Sequence, residues 1–185
     1  MRRGLLGGTF DPIHLGHLRA AENALEALGL EQVLFMPAGA PPHRRAPCTS
    51  PLDRFAMTAL ATAGHLGFVV SDLELRREGP SYTVDTLTAL RETYPEDELL
   101  LLVGADAYAE IQTWKDHQRL AQLCQVAVLS RPGEEPPLPG ALWVEGPALP
   151  ISASDIRRRV REGRSIRYLV PAAVADYIAK RGLYR

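Results

Sequence analysis

Short apolar runs alternate along the chain with stretches whose apolar residues recur every three or four positions. The runs read as buried strands, and the three-to-four spacing reads as the buried stripe of a helix. Strands are expected at residues 4–6, 32–36, 68–70 (continuing toward 75), 99–103, 126–129 and 142–144. The unbroken apolar run at 99–103 has the character of a central parallel strand. Helices fall between these runs. Leu18, Ala21, Leu25 and Leu28 share one face of the first, with Gly29 as its C-terminal stop. Ser50 caps a second, with Pro51 in its first turn, running to about Ala63 and stopping near Gly64. Val84, Leu87, Leu90 and Tyr94 mark a third, for which Ser81 or Thr83 is a suitable cap. A shorter helix is expected over 117–123, and two more, over 154–162 and 172–180, close the chain. The proline-rich stretches 37–47 and 131–140 read as loops.

Strands and helices in this alternation predict an α/β fold. The expected architecture is a doubly wound, Rossmann-like parallel sheet with helices on both faces and a small C-terminal helical extension. At 185 residues the chain can bury one sizeable core. It is therefore expected to form a single domain over 1–185, with a core at 1–150 and the extension at 151–185. In such folds ligands bind outside the carboxyl ends of the strands.

Charge and composition narrow the partners. The net charge of -1 argues against nucleic-acid binding through a basic surface. The balance is uneven, however. From Ile151 onward nine basic residues face three acidic ones, a net +6, which leaves -7 for the rest. Such a cluster fits either a small polyanion or a solvated helix face. Cys48 and Cys124 form no Cys-x-x-Cys pair and read as reduced thiols. No run is long and apolar enough to span a membrane. Met1-Arg2-Arg3 is not followed by the apolar segment of a signal peptide. A cytoplasmic location is expected, and a homo-oligomer is left open.

The chemistry concentrates in Gly7-Gly8-Thr9-Phe10-Asp11-Pro12-Ile13-His14-Leu15-Gly16-His17, directly after the first strand and at the start of the first helix. Glycines let the backbone approach a ligand closely. Free amides at a helix N-terminus favour anions. His14 and His17, three residues apart, can face one ligand. As donors whose charge can change near neutral pH, they suit phosphate contacts. Taken together, the features indicate chemistry on a nucleoside triphosphate. Each alone has a simpler explanation: a tight turn, a surface histidine pair, or half of a metal site. For a metal site the sequence offers no convincing third and fourth ligands, so none is expected in the protein itself.

This stretch resembles the signature of the HxGH nucleotidyltransferase superfamily, and its full form is similar to that of the bacterial nicotinate-nucleotide adenylyltransferases. The resemblance extends through four further segments to the Gly182-Leu183-Tyr184-Arg185 ending. It implies adenylyl transfer from ATP to nicotinate mononucleotide, giving deamido-NAD and pyrophosphate by direct in-line attack of the acceptor phosphate. Mg2+ would be bound through the ATP phosphates. Gly7, Gly8, Thr9, Phe10, His14 and His17, with Ser154, Ile156 and Arg157 of Ile151-Ser152-Ala153-Ser154-Asp155-Ile156-Arg157, would bind ATP. His43 and Arg44 of Pro41-Pro42-His43-Arg44-Arg45 would approach the reacting phosphates and join His14 and His17 in catalysis. The acceptor would be held by Tyr82 and Thr83 in Gly79-Pro80-Ser81-Tyr82-Thr83, by Asp106 in Gly104-Ala105-Asp106, and by Trp114 and Lys115. In the family the matching tryptophan stacks on nicotinate, often followed by a second aromatic. Here Lys115, Asp116 and His117 follow, which leaves the fine shape of the base pocket open. The alternatives are the same chemistry on nicotinamide mononucleotide or another acceptor such as phosphopantetheine, and a nucleotide sensor without turnover.

Overall fold

The computed structural model describes residues 1–42, 46–130, 140–147 and 149–185. Six strands form one sheet: β1 (Arg2–Gly8), β2 (Gln32–Pro37), β3 (Phe68–Val70), β4 (Glu98–Gly104), β5 (Gln125–Ser130) and β6 (Leu142–Glu145). Their order is β3-β2-β1-β4-β5-β6, and every neighbouring pair is parallel. The order reverses between β1 and β4, where a doubly wound sheet opens its crevice.

β4 shows why the sheet is covered on both faces. Leu100 and Leu102 enter one apolar cluster, and Leu99, Leu101 and Val103 enter the other. Side chains alternate along a strand, so an unbroken apolar run needs a partner layer on each side. The first cluster takes in α1 (Leu15–Ala27), α2 (Pro51–Thr62), α7 (Ala153–Arg161) and α8 (Ala172–Arg181) through Ala21, Met57, Ile156 and Val174. The second takes in α4 (Thr83–Thr93), α5 (Ala105–Ala109) and α6 (His117–Leu123) through Leu87, Tyr108 and Leu120.

The expected α/β architecture is therefore present, with corrections in detail. The third strand does not continue toward Leu75. After Val70 the Ser71 N–H donates to the Phe35 carbonyl, and the chain turns into the short helix α3 (Leu73–Arg76). β3 is an edge strand of three residues, so no further ladder held the extended form, and Glu74 turned inward instead. Neither Ser81 nor Thr83 caps α4; Tyr82 stands at the N-cap without a side-chain bond. The Ser81 hydroxyl instead accepts from the Gly39 and Ala40 N–H groups at 3.0 and 3.2 Å. Ser50 does cap α2, accepting from the Asp53 N–H, with Pro51 in the first turn. α5 and a 3-10 turn (Ile111–Thr113) between β4 and α6 were not anticipated. His43, Arg44 and most of the 131–140 stretch lie outside the described residues.

Candidate active site

The carboxyl end of β1 feeds the glycine segment into the head of α1. Phe10 has a left-handed backbone (φ 50°), which costs a non-glycine residue about 1–2 kcal/mol. Burial of its ring offsets that cost: it is 3% exposed, 6.0 Å from the Phe35 ring and edge-on to His17 at 5.1 Å. The Asp11–Pro12 peptide bond is cis. His14 stands at the N-cap of α1, and its N–H donates to Nδ1 of His17 at 3.2 Å. The two imidazoles stack with centroids 3.7 Å apart. Gly16 permits this arrangement, because a Cβ there would lie 3.0 Å from Nδ1 of His14.

Burial sets the charge state of His14. His14 is 7% exposed, and loss of water pulls its imidazole down to about 4. It is therefore neutral at physiological pH, which corrects the expectation that both rings would change charge near neutrality. Its buried Nδ1 has no partner among the described residues. An unmet buried polar atom is uncommon in a folded protein.

A cavity of about 270 Å3 opens beside this pair, between α1 and the ends of β4, β5 and β6. His17, Asn23, Gly104, Asp106, Ser130 and Ile151 are among the residues lining it. Asp106 sits in the first turn of α5, exposed at the rim. On the far side, Ser152 caps α7 by accepting from the Asp155 N–H at 3.2 Å, and its hydroxyl lies 3.1 Å from the exposed Ser154 hydroxyl. Arg157 reaches from α7 to the signature loop, its Nη1 donating to the Asp11 carbonyl at 2.6 Å. Ile156 is fully buried in the core, so its side chain serves the site by docking α7 and not by touching a ligand.

Tyr82, Thr83, Trp114 and Lys115 gather at a second corner, on the sheet face that carries α4 and α6. Lys115 pairs with Asp85 at 3.0 Å and lies 4.8 Å from the Tyr82 ring centroid. Trp114 and Tyr82 pack against the same apolar cluster, and both remain half-buried. α5 lies between the corner and the cavity: Ala105 and Asp106 line the cavity, while Ala105 and Ala107 pack against the same apolar cluster as Trp114.

Several buried polar residues that the sequence reading passed over hold these parts together. Asp11 accepts from the Cys48 N–H and from the Thr49 and Tyr184 hydroxyls, each at 2.7 Å. Burial and this carboxylate push the Tyr184 phenol far above its ordinary range. Glu74 accepts from the Thr86 hydroxyl at 2.6 Å, and burial raises its carboxyl above the usual value. Arg54 is wholly buried and bonds the Thr9 and Gly39 carbonyls. The one signal for Arg54 was its place on the inner face of α2, one turn before Met57 and Thr58. Of the two thiols, burial pushes Cys124 up to about 11, which leaves it unreactive. Among the described residues no group of three or more His, Cys, Asp or Glu side chains is placed to hold a metal ion.

The sequence model of the cytidylyltransferase-like family matches residues 5–159. The chain is 53% identical to a protein of Thermus thermophilus named "Probable nicotinate-nucleotide adenylyltransferase", covering all of both chains. It is 48% identical to a protein of the same name from Desulfitobacterium hafniense, covering all of this chain and 96% of that one. The fold is similar to that of Plasmodium falciparum nicotinic acid mononucleotide adenylyltransferase complexed with APC, with a TM-score of 0.80 at 19% identity, covering 99% of this chain and 96% of that one. The same enzyme complexed with NaAD gives a TM-score of 0.81 at 19% identity, covering 99% and 97%.

Proposed function

This chain belongs to the nicotinate-nucleotide adenylyltransferases of the cytidylyltransferase-like family, and from that premise we propose how its residues divide the work of adenylyl transfer. The reaction joins ATP and nicotinate mononucleotide into deamido-NAD and pyrophosphate. A phosphate oxygen of the acceptor attacks the α-phosphorus of ATP. The bond from that phosphorus to the bridging oxygen breaks, and pyrophosphate leaves with the electron pair. No covalent enzyme intermediate is required, so positioning and electrostatics supply the rate.

The observation that carries the reading is the stacked His14–His17 pair at the head of α1, beside a cavity at the point where the sheet reverses. The cavity receives ATP. His17, on its wall, donates to the α- and β-phosphates. His14, neutral and buried, orients His17 through its N–H and offers a hydrogen bond without adding charge. The backbone of Gly7, Gly8, Thr9 and Phe10 lets the triphosphate approach, and Ser154 and Arg157 hold its outer phosphates. His43 and Arg44, which lie outside the described residues, would act on the reacting phosphates, as the family resemblance implies. Asp106 binds ribose hydroxyls. At the second corner, Trp114 stacks on the pyridine ring. Thr83 and the first amides of α4 receive its carboxylate, with Tyr82 and Lys115 as the wall.

A divalent ion such as Mg2+ would be bound through the ATP phosphates and not by a dedicated set of protein ligands. Its chemistry is to neutralise charge on the phosphates.

Pyrophosphate release from Mg-ATP, with nicotinate and nicotinamide mononucleotide in parallel, tests the reading. A strong preference for the acid is expected. Equal rates or a preference for the amide would overturn the assignment of the base corner, and no release with either would overturn the function.

A further inference from the structure

Arg54 is 0% exposed, yet among the described residues no carboxylate forms an ion pair with it. Its Nη1 donates to the Thr9 carbonyl at 2.8 Å and its Nη2 to the Gly39 carbonyl at 3.2 Å, while Nε has no partner there. Asp11 and Glu74 stand near enough to compensate the charge in part. Burying a cation against neutral carbonyls is an expensive way to stabilise a helix, because the desolvation cost is returned only by well-made hydrogen bonds.

The position of the two carbonyls gives the arrangement a purpose. Thr9 follows β1 and Gly39 follows β2. A trans peptide holds its C=O and N–H on opposite sides. Fixing the Gly39 carbonyl on Arg54 turns the Ala40 N–H away from it, and that N–H meets the Ser81 hydroxyl. Fixing the Thr9 carbonyl turns the Phe10 N–H away in the same manner. No described residue accepts from that N–H. Phe10 has the left-handed backbone that helps successive amides form an anion-binding concavity. Ser81 in turn leads directly into Tyr82 and Thr83 at the head of α4. One guanidinium thus ties the signature loop to the end of β2, and through Ser81 to the second corner.

We propose that Arg54 is a positioning residue for adenylyl transfer: from inside the fold it presents the Phe10 N–H to the phosphates and keeps the signature loop in register with the acceptor corner. The proposal rests on the functional reading above. Arginine suits the task because its planar fork fixes two acceptors at once, which a lysine ammonium does not.

The experiment compares Arg54→Lys and Arg54→Met with wild type, each well below its melting temperature. Pyrophosphate release gives kcat and both KM values, titration calorimetry gives the Kd for ATP, and the 1H–15N resonance of Phe10 is followed on adding Mg-ATP. Misplacement on the order of 1 Å predicts kcat lower by about 100-fold in folded Arg54→Lys. The ATP Kd should change far less, and the Phe10 response to ATP should be lost. A folded Arg54→Lys with wild-type kcat and a wild-type Phe10 response overturns the proposal. If Arg54→Met does not fold, Arg54→Lys decides. If neither folds, Arg54 serves stability alone and the proposal is overturned. If wild type releases no pyrophosphate, the functional reading fails, and the Phe10 response to ATP still decides the placement of Arg54.

Discussion

His14 is an imidazole held almost out of water with one ring nitrogen unmet, and that burial sets both its chemistry and its effect on stability. Its folded value, about 4, lies below the ordinary 6.5. The unfolded chain therefore takes up a proton below about pH 6.5 that the folded chain refuses until about pH 4. Stability is full above pH 6.5 and falls as the pH drops through that window, by up to about 3 kcal/mol. Urea unfolding followed from pH 7.5 to 4 is expected to show this decline, and His14→Gln is expected to flatten it. A wild-type slope in His14→Gln would remove His14 as its source. For the same reason the ionisation of His14 should leave no limb in the kcat profile between pH 6 and 8. The neighbouring motif residues were legible because chemistry fixes their spacing along one strand, turn and helix. The charge state of His14 was not, since it depends on how the fold encloses the ring.

At the level of elements, the chain just after β2 fits closely against α3 near the acceptor corner. A Cβ on Gly39 would collide with the backbone carbonyl of Glu74, which cannot move aside as a side chain would. Gly39→Ala must therefore push α3 away from the end of β2 and disturb the Ser81 bonds to Gly39 and Ala40. A loss of about 1–3 kcal/mol is expected, typical of overpacking. It would appear as a lower urea midpoint, with KM rising more for nicotinate mononucleotide than for ATP. An unchanged midpoint would show that the two elements separate freely. β2, α2 and α6 are legible in the sequence nearly residue for residue, because apolar runs, a Ser-Pro start and helical spacing are local signals. α3 was not legible because the apolar run at Phe68–Val70 reads on into Leu73 and Leu75 as one strand, and only the end of pairing at Phe35 stops it. Local propensity favours a cap at Ser81 or Thr83, whereas a contact 42 residues away claims the Ser81 hydroxyl.

Across the whole molecule, the segment read from sequence as an extension is part of the core. Ile156, Val174 and Ile178 lie in the same cluster as Leu6, Phe35 and Leu100, and Tyr184 bonds Asp11 across 173 residues. Asp53 joins α2 to α8 by accepting from the Tyr177 hydroxyl at 2.8 Å and from Arg181 at 3.3 Å. The basic excess of residues 151–185 divides accordingly. Arg157 reaches the signature loop and Arg181, though exposed, bonds Asp53 of α2, whereas Arg158 and Arg164 pair locally with Asp155 and Glu162. Composition gave the total charge but not this division, which depends on which side of α7 meets the sheet. We therefore expect residues 1–185 to unfold as one cooperative unit. A chain ending at residue 150 would expose the apolar face of β1 and β2 and leave Asp11 without its Tyr184 and Arg157 partners. Losing three fully buried aliphatic side chains alone removes about 5–9 kcal/mol, comparable to the whole stability of a domain this size. The shortened chain should lack a sigmoidal urea transition by circular dichroism, whereas full-length protein should show a single one. A cooperative transition in the shortened chain would instead establish residues 1–150 as an independent core.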